Sequence, residues 1–161
     1  MPVYALFLEP DTPSSTTWSK KTLPEHVFEW CIVHAQGKPS LVHVELLIIN
    51  GEDRHHFATY IGCKAGFCAH DEYYTHETAG RWRAVPIPID TTKLMLMCDK
   101  ASGSNYSILR YACALRPLRW LGYLLPNRLG SPGHCATLVA RLVQAQSSLN
   151  HNTNNYAPGM L

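Results

Sequence analysis

The sequence has little of what would place it at a glance. No apolar run approaches the ~20 residues that a membrane-crossing helix needs, and charges interrupt the runs that exist. Charged residues make up only 16% of the 161, and the formal net charge is +2 with histidines neutral. So weak a balance gives no ground for a nucleic-acid binder. No internal repeat and no long linker divide the chain. Its apolar start lacks the basic residues of an export signal and meets Glu9-Pro10-Asp11 at once, so a reducing, cytoplasmic setting is expected. With 46% hydrophobic residues, the chain has enough apolar material for one domain with a real core.

There are six cysteines. Most stand in apolar surroundings, as in "EWCIV" (Cys31), "LMLMCDK" (Cys98) and "RYACAL" (Cys113), and read as reduced core residues rather than a disulfide framework. Substitution of Cys31 by alanine is expected to act through packing.

Periodicity gives the element order. Val3–Leu8 reads as a strand and Pro10–Lys21 as a loop. Thr22 with Glu25 is a capping-box pattern that opens a helix closed by Gly37. Ser40–Ile49 is β-rich and ends in Asn50-Gly51, a hairpin signal with His55–Gly62 as its return strand. Cys63–Gly80 reads as a loop. Trp82–Ile89 is a further strand, and its two prolines suggest a sheet edge. Asp90 caps a helix over Thr91–Lys100, Ser104–Leu115 is another, and a last helix starts at Ser131 or Gly133 and runs to about Leu149. Its stripe is Leu138, Leu142 and Ala145, with Val139 and Val143 alongside. The order predicts an α+β domain over residues 1–149, a small antiparallel sheet packed against helices. Residues 150–161 read as a polar tail without clear structure.

The chemistry turns on "SPGHCATLVARLV". Cys135 falls in the first turn of the last helix, where unpaired backbone N–H groups and a partial positive charge lower a thiol pKa. Its own N–H is placed to help hold an oxyanion, and Gly133 permits close approach of a substrate backbone. The bland alternative is a small apolar residue packing a helix start. A nucleophilic thiolate also needs a base and a group to orient it. "LVHVELLII" sets His43 and Glu45 two residues apart, on one face of a strand with Leu41, Leu47 and Ile49. Burying imidazole and carboxylate without partners is costly, so they belong with something polar. The alternative is that this face meets solvent.

These stretches resemble a known family. "VHVELLIINGE" with "HFATYIG" is similar to the strand and hairpin of the circularly permuted NlpC/P60 papain-like superfamily. "RWRAVPIPI", the tyrosine-containing "SNYSILRY" and "GHCATLVARLV" follow in the family's order. The resemblance covers roughly Val3–Leu149, and His43-x-Glu45-Leu46 and Cys135-Ala-Thr-Leu-Val139 are its sharp parts. It implies a permuted papain-like fold with Cys135 as nucleophile and His43 as base. It leaves the orienting residue open among Glu45, placed first, and Thr59 and His56 on the return strand. The chain departs from the family at Ala136, where serine is usual, and at His134. That histidine reads as solvent-facing, with positive charge beside the thiol as the alternative. The implied activity is a cysteine hydrolase, peptidase or amidase, working through an acyl-thioester without a cofactor. The alternatives are a lipid-directed acyl hydrolase or acyltransferase, and a silent binding module. The implied partner is a peptide, amide or acyl-lipid substrate.

Two rival features were weighed. Cys63-x4-Cys68-x-His70, with His76, offers four ligands that zinc would accept, but the spacing fits no common finger and ordinary loop residues are the better reading. "LRPLRWLGYLLPNRLG" mixes arginines with aromatics, which suits peripheral membrane contact through Leu115–Leu125 or a core-packing connection with solvated arginines.

Overall fold

The structure is a computed structural model that describes residues 1–9, 41–61, 63–68, 81–114, 118–146 and 153–155. The helix expected over Thr22–Gly37, with Cys31, lies outside them, as do His70 and His76.

Five strands form one antiparallel sheet: β1 (Val3–Leu8), β2 (His43–Asn50), β3 (Asp53–Ala58), β4 (Gly66–Cys68) and β5 (Trp82–Pro86). Their order is β4-β3-β2-β1-β5, so β2 is the central strand. β2 and β3 make the expected hairpin. Asn50 pairs with Asp53, and the turn between them holds Gly51 at φ 63°, a conformation that costs glycine little. β5 lies at the edge, as its prolines require, because Pro86 has no N–H to give a further neighbour. β4 corrects the expectation of an unbroken loop after Cys63. Its three residues pair with His56, Phe57 and Ala58, and Phe67 packs edge-on against Phe57 at 5.0 Å.

Among the described residues four helices follow: α1 (Thr91–Ala101), α2 (Ile108–Ala114), α3 (Arg119–Gly122) and α4 (Cys135–Gln144). Asp90 caps α1, its Oδ1 accepting from Thr92 N at 2.9 Å and Lys93 N at 3.3 Å. Leu94 and Cys98, one turn apart, are buried beneath it. α2 and α4 are both shorter than expected. The chain of Ser104–Ser107 is spent elsewhere: Asn105 and Tyr106 form isolated bridges to Lys64 and Gly133. Those bridges tie the start of α2 to the start of α4.

α4 packs on β2, α1 and the 3-10 turn at Thr153–Asn155. Cys135 through Leu142 are all buried, so this helix has no one-sided stripe, and Ala145 lies exposed beyond its end. The core joins Val3, Ala5 and Phe7 of β1, Val44, Leu46 and Ile48 of β2, and Ala136, Leu138, Val139 and Leu142 of α4. The register pairs those β1 and β2 residues across one sheet face. The opposite face carries Leu6, Glu45, Leu47 and His56, and they are buried too. The tail is also not without structure, since Thr153 and Asn154 are buried.

Candidate active site

Three elements converge at one end of the sheet. β2 supplies His43 at its first position and Glu45 two residues on; the end of β3 supplies His56 and, just beyond it, Thr59 and Tyr60; α4 supplies Cys135 at its first position. The last is fixed by the register of the chain around it. Ser107 N donates to Gly133 O at 2.8 Å, Gly133 N donates to Asn105 O at 3.1 Å, and the helix starts two residues later. His134 is the N-cap and its side chain does not cap the helix, so the first-turn N–H groups are left to other acceptors.

The thiol of Cys135 and the imidazole of His43 stand close enough for each to govern the charge of the other. Burial alone would push the Cys135 pKa up. The imidazolium of His43, and after it His134, overcome that and bring it down to about 5. Burial likewise would lower His43, but the thiolate and then Glu45 raise it to about 9. The two groups thus titrate as one pair, and between those limits the favoured form is thiolate with imidazolium.

Glu45 stands behind His43, fully buried, with Oε2 at 3.6 Å from Nε2. That exceeds a good hydrogen bond but is near for a charge. Its oxygens are held from the other side. His56 Nδ1 donates to Oε1 at 2.7 Å, and the Tyr60 hydroxyl donates to Oε2 at 2.9 Å. The Tyr60 ring also stacks on His43, with centroids 4.7 Å apart, and Trp82 meets His43 edge-on at 6.1 Å. The imidazole is therefore fixed by a carboxylate and two aromatic rings. The solvent-facing alternative for this strand face does not hold.

Of the three residues open for the orienting role, Glu45 is the one set against His43. His56 touches Glu45 and so sits one step farther back. Thr59 is buried, and its Oγ1 has no hydrogen-bond partner among the described residues.

His134 corrects a sequence expectation. It is wholly buried instead of solvent-facing, edge-on to Tyr111 at 5.4 Å. Neither ring nitrogen has a hydrogen-bond partner among the described residues, and the imidazole stands near enough to Cys135 to help lower its thiol. Gly133 is a correction of a similar kind. It is buried, and a Cβ there would meet Arg141 Nη1 at 3.3 Å and Thr137 Cγ2 at 3.4 Å. Its missing side chain makes room for Arg141 and Thr137 rather than for a substrate.

Sequence reasoning missed Tyr60 and Tyr106 as members of this cluster. Both stand inside quoted motifs, "HFATYIG" and "SNYSILRY", but nothing in their spacing marks a contact. The Tyr106 phenol is pushed up by burial and by the nearby thiolate, so it keeps its proton. Elsewhere, Cys98 is pushed up to about 12 by burial and then by Asp99, and Cys113 is raised by burial. Those two behave as the core residues they were expected to be. Cys63 is a free, exposed thiol. Among the described residues no group of three possible ligands stands where a metal could be held.

No family model, no curated protein and no solved structure matches the chain. The α+β architecture thus rests on the strands and helices themselves.

Proposed function

We propose that the chain is a cysteine-dependent hydrolase of permuted papain-like type, acting on an amide or ester carbonyl. The observation that carries this is the buried Cys135 thiol at the first position of α4 beside His43, which Glu45 backs at 3.6 Å, with the thiol pKa lowered and that of the histidine raised. Acid–base and nucleophilic groups matched in this way are what acyl transfer requires. His43 takes the Cys135 proton and Glu45 holds the imidazole. The thiolate attacks the carbonyl, and the negative oxygen is met by the Cys135 N–H at the start of α4. The protonated Tyr106 phenol is the second donor in this scheme. His43 then returns its proton to the leaving group, and water or another acceptor resolves the thioester. The resemblance to the NlpC/P60 superfamily supports the same assignment of Cys135 and His43.

The test is alkylation by iodoacetamide, followed for each cysteine against pH by mass spectrometry, with hydrolysis of a p-nitrophenyl ester alongside. Fast labelling of Cys135 alone from about pH 5 upward, with an acyl adduct on Cys135 during ester turnover, is the expected result. A Cys135 that labels no faster than Cys63 would refute the reading.

A further inference from the structure

A second surface is not used by this cluster. Ile108 and Leu109 of α2 are 60% and 58% exposed, and Trp120 of α3 with Tyr123 and Leu124 just after it are 62%, 71% and 73% exposed. α2 and α3 pack on one another, and α2 already buries Arg110, Tyr111, Cys113 and Ala114. The exposed side chains are therefore additional to the core. A soluble chain seldom shows so many large apolar groups on two adjoining helices without a partner for them.

Charge indicates the partner. Residues 100–161 hold six of the 14 lysines and arginines and none of the 12 aspartates and glutamates. Two of the six flank the apolar groups in sequence: Arg119 within α3, half-buried with its Nε covered, and the exposed Arg128 in the loop that follows. Gly130, at φ 82°, brings that loop against the Lys100 carbonyl, 3.3 Å from where a Cβ would stand, and Lys100 is exposed as well. A second copy of this chain is a poor occupant. A two-fold contact lays a patch on itself, which would set these cations against like charge.

We infer that the α2–α3 surface docks on an anionic lipid bilayer. Trp120, Tyr123 and Leu124 enter the boundary between headgroups and acyl chains, with Arg119 and Arg128 against the headgroup phosphates. Because Ser107 N donates to Gly133 O at 2.8 Å, α2 begins beside the loop that delivers Cys135. Docking therefore brings the thiol's end of the fold to the lipid boundary. The inference does not depend on the hydrolase reading.

The experiment is co-sedimentation of the full chain with vesicles of phosphatidylcholine alone and of phosphatidylcholine with phosphatidylserine, at low and high salt. At least tenfold more protein should pellet with the anionic vesicles, less so as salt rises. The Trp120→Ser/Leu124→Ser and Arg119→Gln/Arg128→Gln variants should each lose most of that binding while labelling at Cys135 like the parent. Tyr123→Ser gives a milder variant should the doubles fail to fold, and it should show a partial loss. Cys135→Ala should pellet unchanged, so failure of the hydrolase reading leaves this test intact. Equal or negligible pelleting on both vesicle types overturns the inference. So does undiminished binding by folded variants, or a dimer in sedimentation velocity that the apolar variant dissolves without any vesicle binding.

Discussion

α4 carries a buried polar cluster near each end, and the two are built on opposite terms. At its first residue Cys135 meets His43, with Glu45 behind: groups of opposite charge, in which the thiol and the imidazole shift one another's titration. In its last turn Arg141 lies beside Arg110, two like charges whose hydrogen bonds among the described residues go to neutral oxygens. Arg141 donates to Asn127 Oδ1 at 3.3 Å, Ser131 O at 2.8 Å and Asn154 Oδ1 at 2.8 Å, and Arg110 donates to Pro126 O at 2.7 Å and also to Asn154 Oδ1. Asn154 Nδ2 completes the set by donating to Gly122 O at 3.0 Å and Leu125 O at 3.1 Å. Burial and then Arg110 lower Arg141 to about 10, which still leaves it charged at neutral pH. The arginine cluster cannot move a proton in the physiological range. It ties the segment before Cys135 to α4 and to the 3-10 turn. A buried polar residue is thus no sign of chemistry by itself; the sign is a set of complementary titratable groups whose pKa values approach neutrality.

The largest expected effect comes from deleting the proposed nucleophile. Cys135→Ala should abolish ester turnover and the fast alkylation while leaving the thermal unfolding curve close to the parent. Retained turnover would end the comparison by showing that neither cluster is catalytic.

His43→Ala should shift the onset of Cys135 alkylation from about pH 5 toward or beyond the ordinary thiol range near 8.5. At pH 6 the labelling rate should fall at least about tenfold, since the thiolate fraction collapses faster than its intrinsic reactivity grows. In the parent, turnover should describe a bell. Its acid limb rises as Cys135 deprotonates through about 5, and its basic limb falls as His43 loses through about 9 the proton that the leaving group needs. A single sigmoid in a pH–rate profile would argue against the pair.

Asn154→Ala sharpens the contrast from the other side. It removes an acceptor shared by two buried guanidinium groups and should cost about 1–3 kcal/mol, read by denaturant unfolding. The onset pH of Cys135 alkylation should not move. If it moved as far as in His43→Ala, the two clusters would be one functional unit.

The smallest effect is expected at His134. Its imidazole is a lesser cause of the lowered thiol than that of His43, so His134→Phe should raise the onset pH by less than His43→Ala does. Equal shifts from the two variants would mean that the thiolate is held by both histidines alike.

How much of this was legible in advance differs between the regions. The hairpin, the edge strand, the capped α1 and the start of α4 follow from local chemistry: Asn50-Gly51, two prolines, Asp90, and a cysteine opening an apolar run. β4 was not legible, because three residues carry no usable periodicity and their pairing partner is in β3. His134 was misjudged for a similar reason. A histidine beside a glycine before a helix looks exposed until Tyr111 packs against it. The arginine cluster was invisible, since Arg110, Arg141 and Asn154 are 44 residues apart at most in the chain and nothing in a polar tail marks Asn154 as buried.

The sequence by itself determined the class of architecture and the two reactive types. Alternation placed His43 and Glu45 on one face of one strand, and the apolar run that Cys135 opens placed it in the first turn of a helix. Both are short-range consequences of backbone geometry. Only the tertiary structure decided that these meet. It seated β2 at the centre of the sheet, laid α4 on it, and supplied His56 and Tyr60 to hold Glu45. It also set Trp120, Tyr123 and Leu124 outward and Arg110 and Arg141 inward. Those outcomes depend on which surfaces are covered, and coverage is settled by contacts between residues distant in sequence, which no local pattern records.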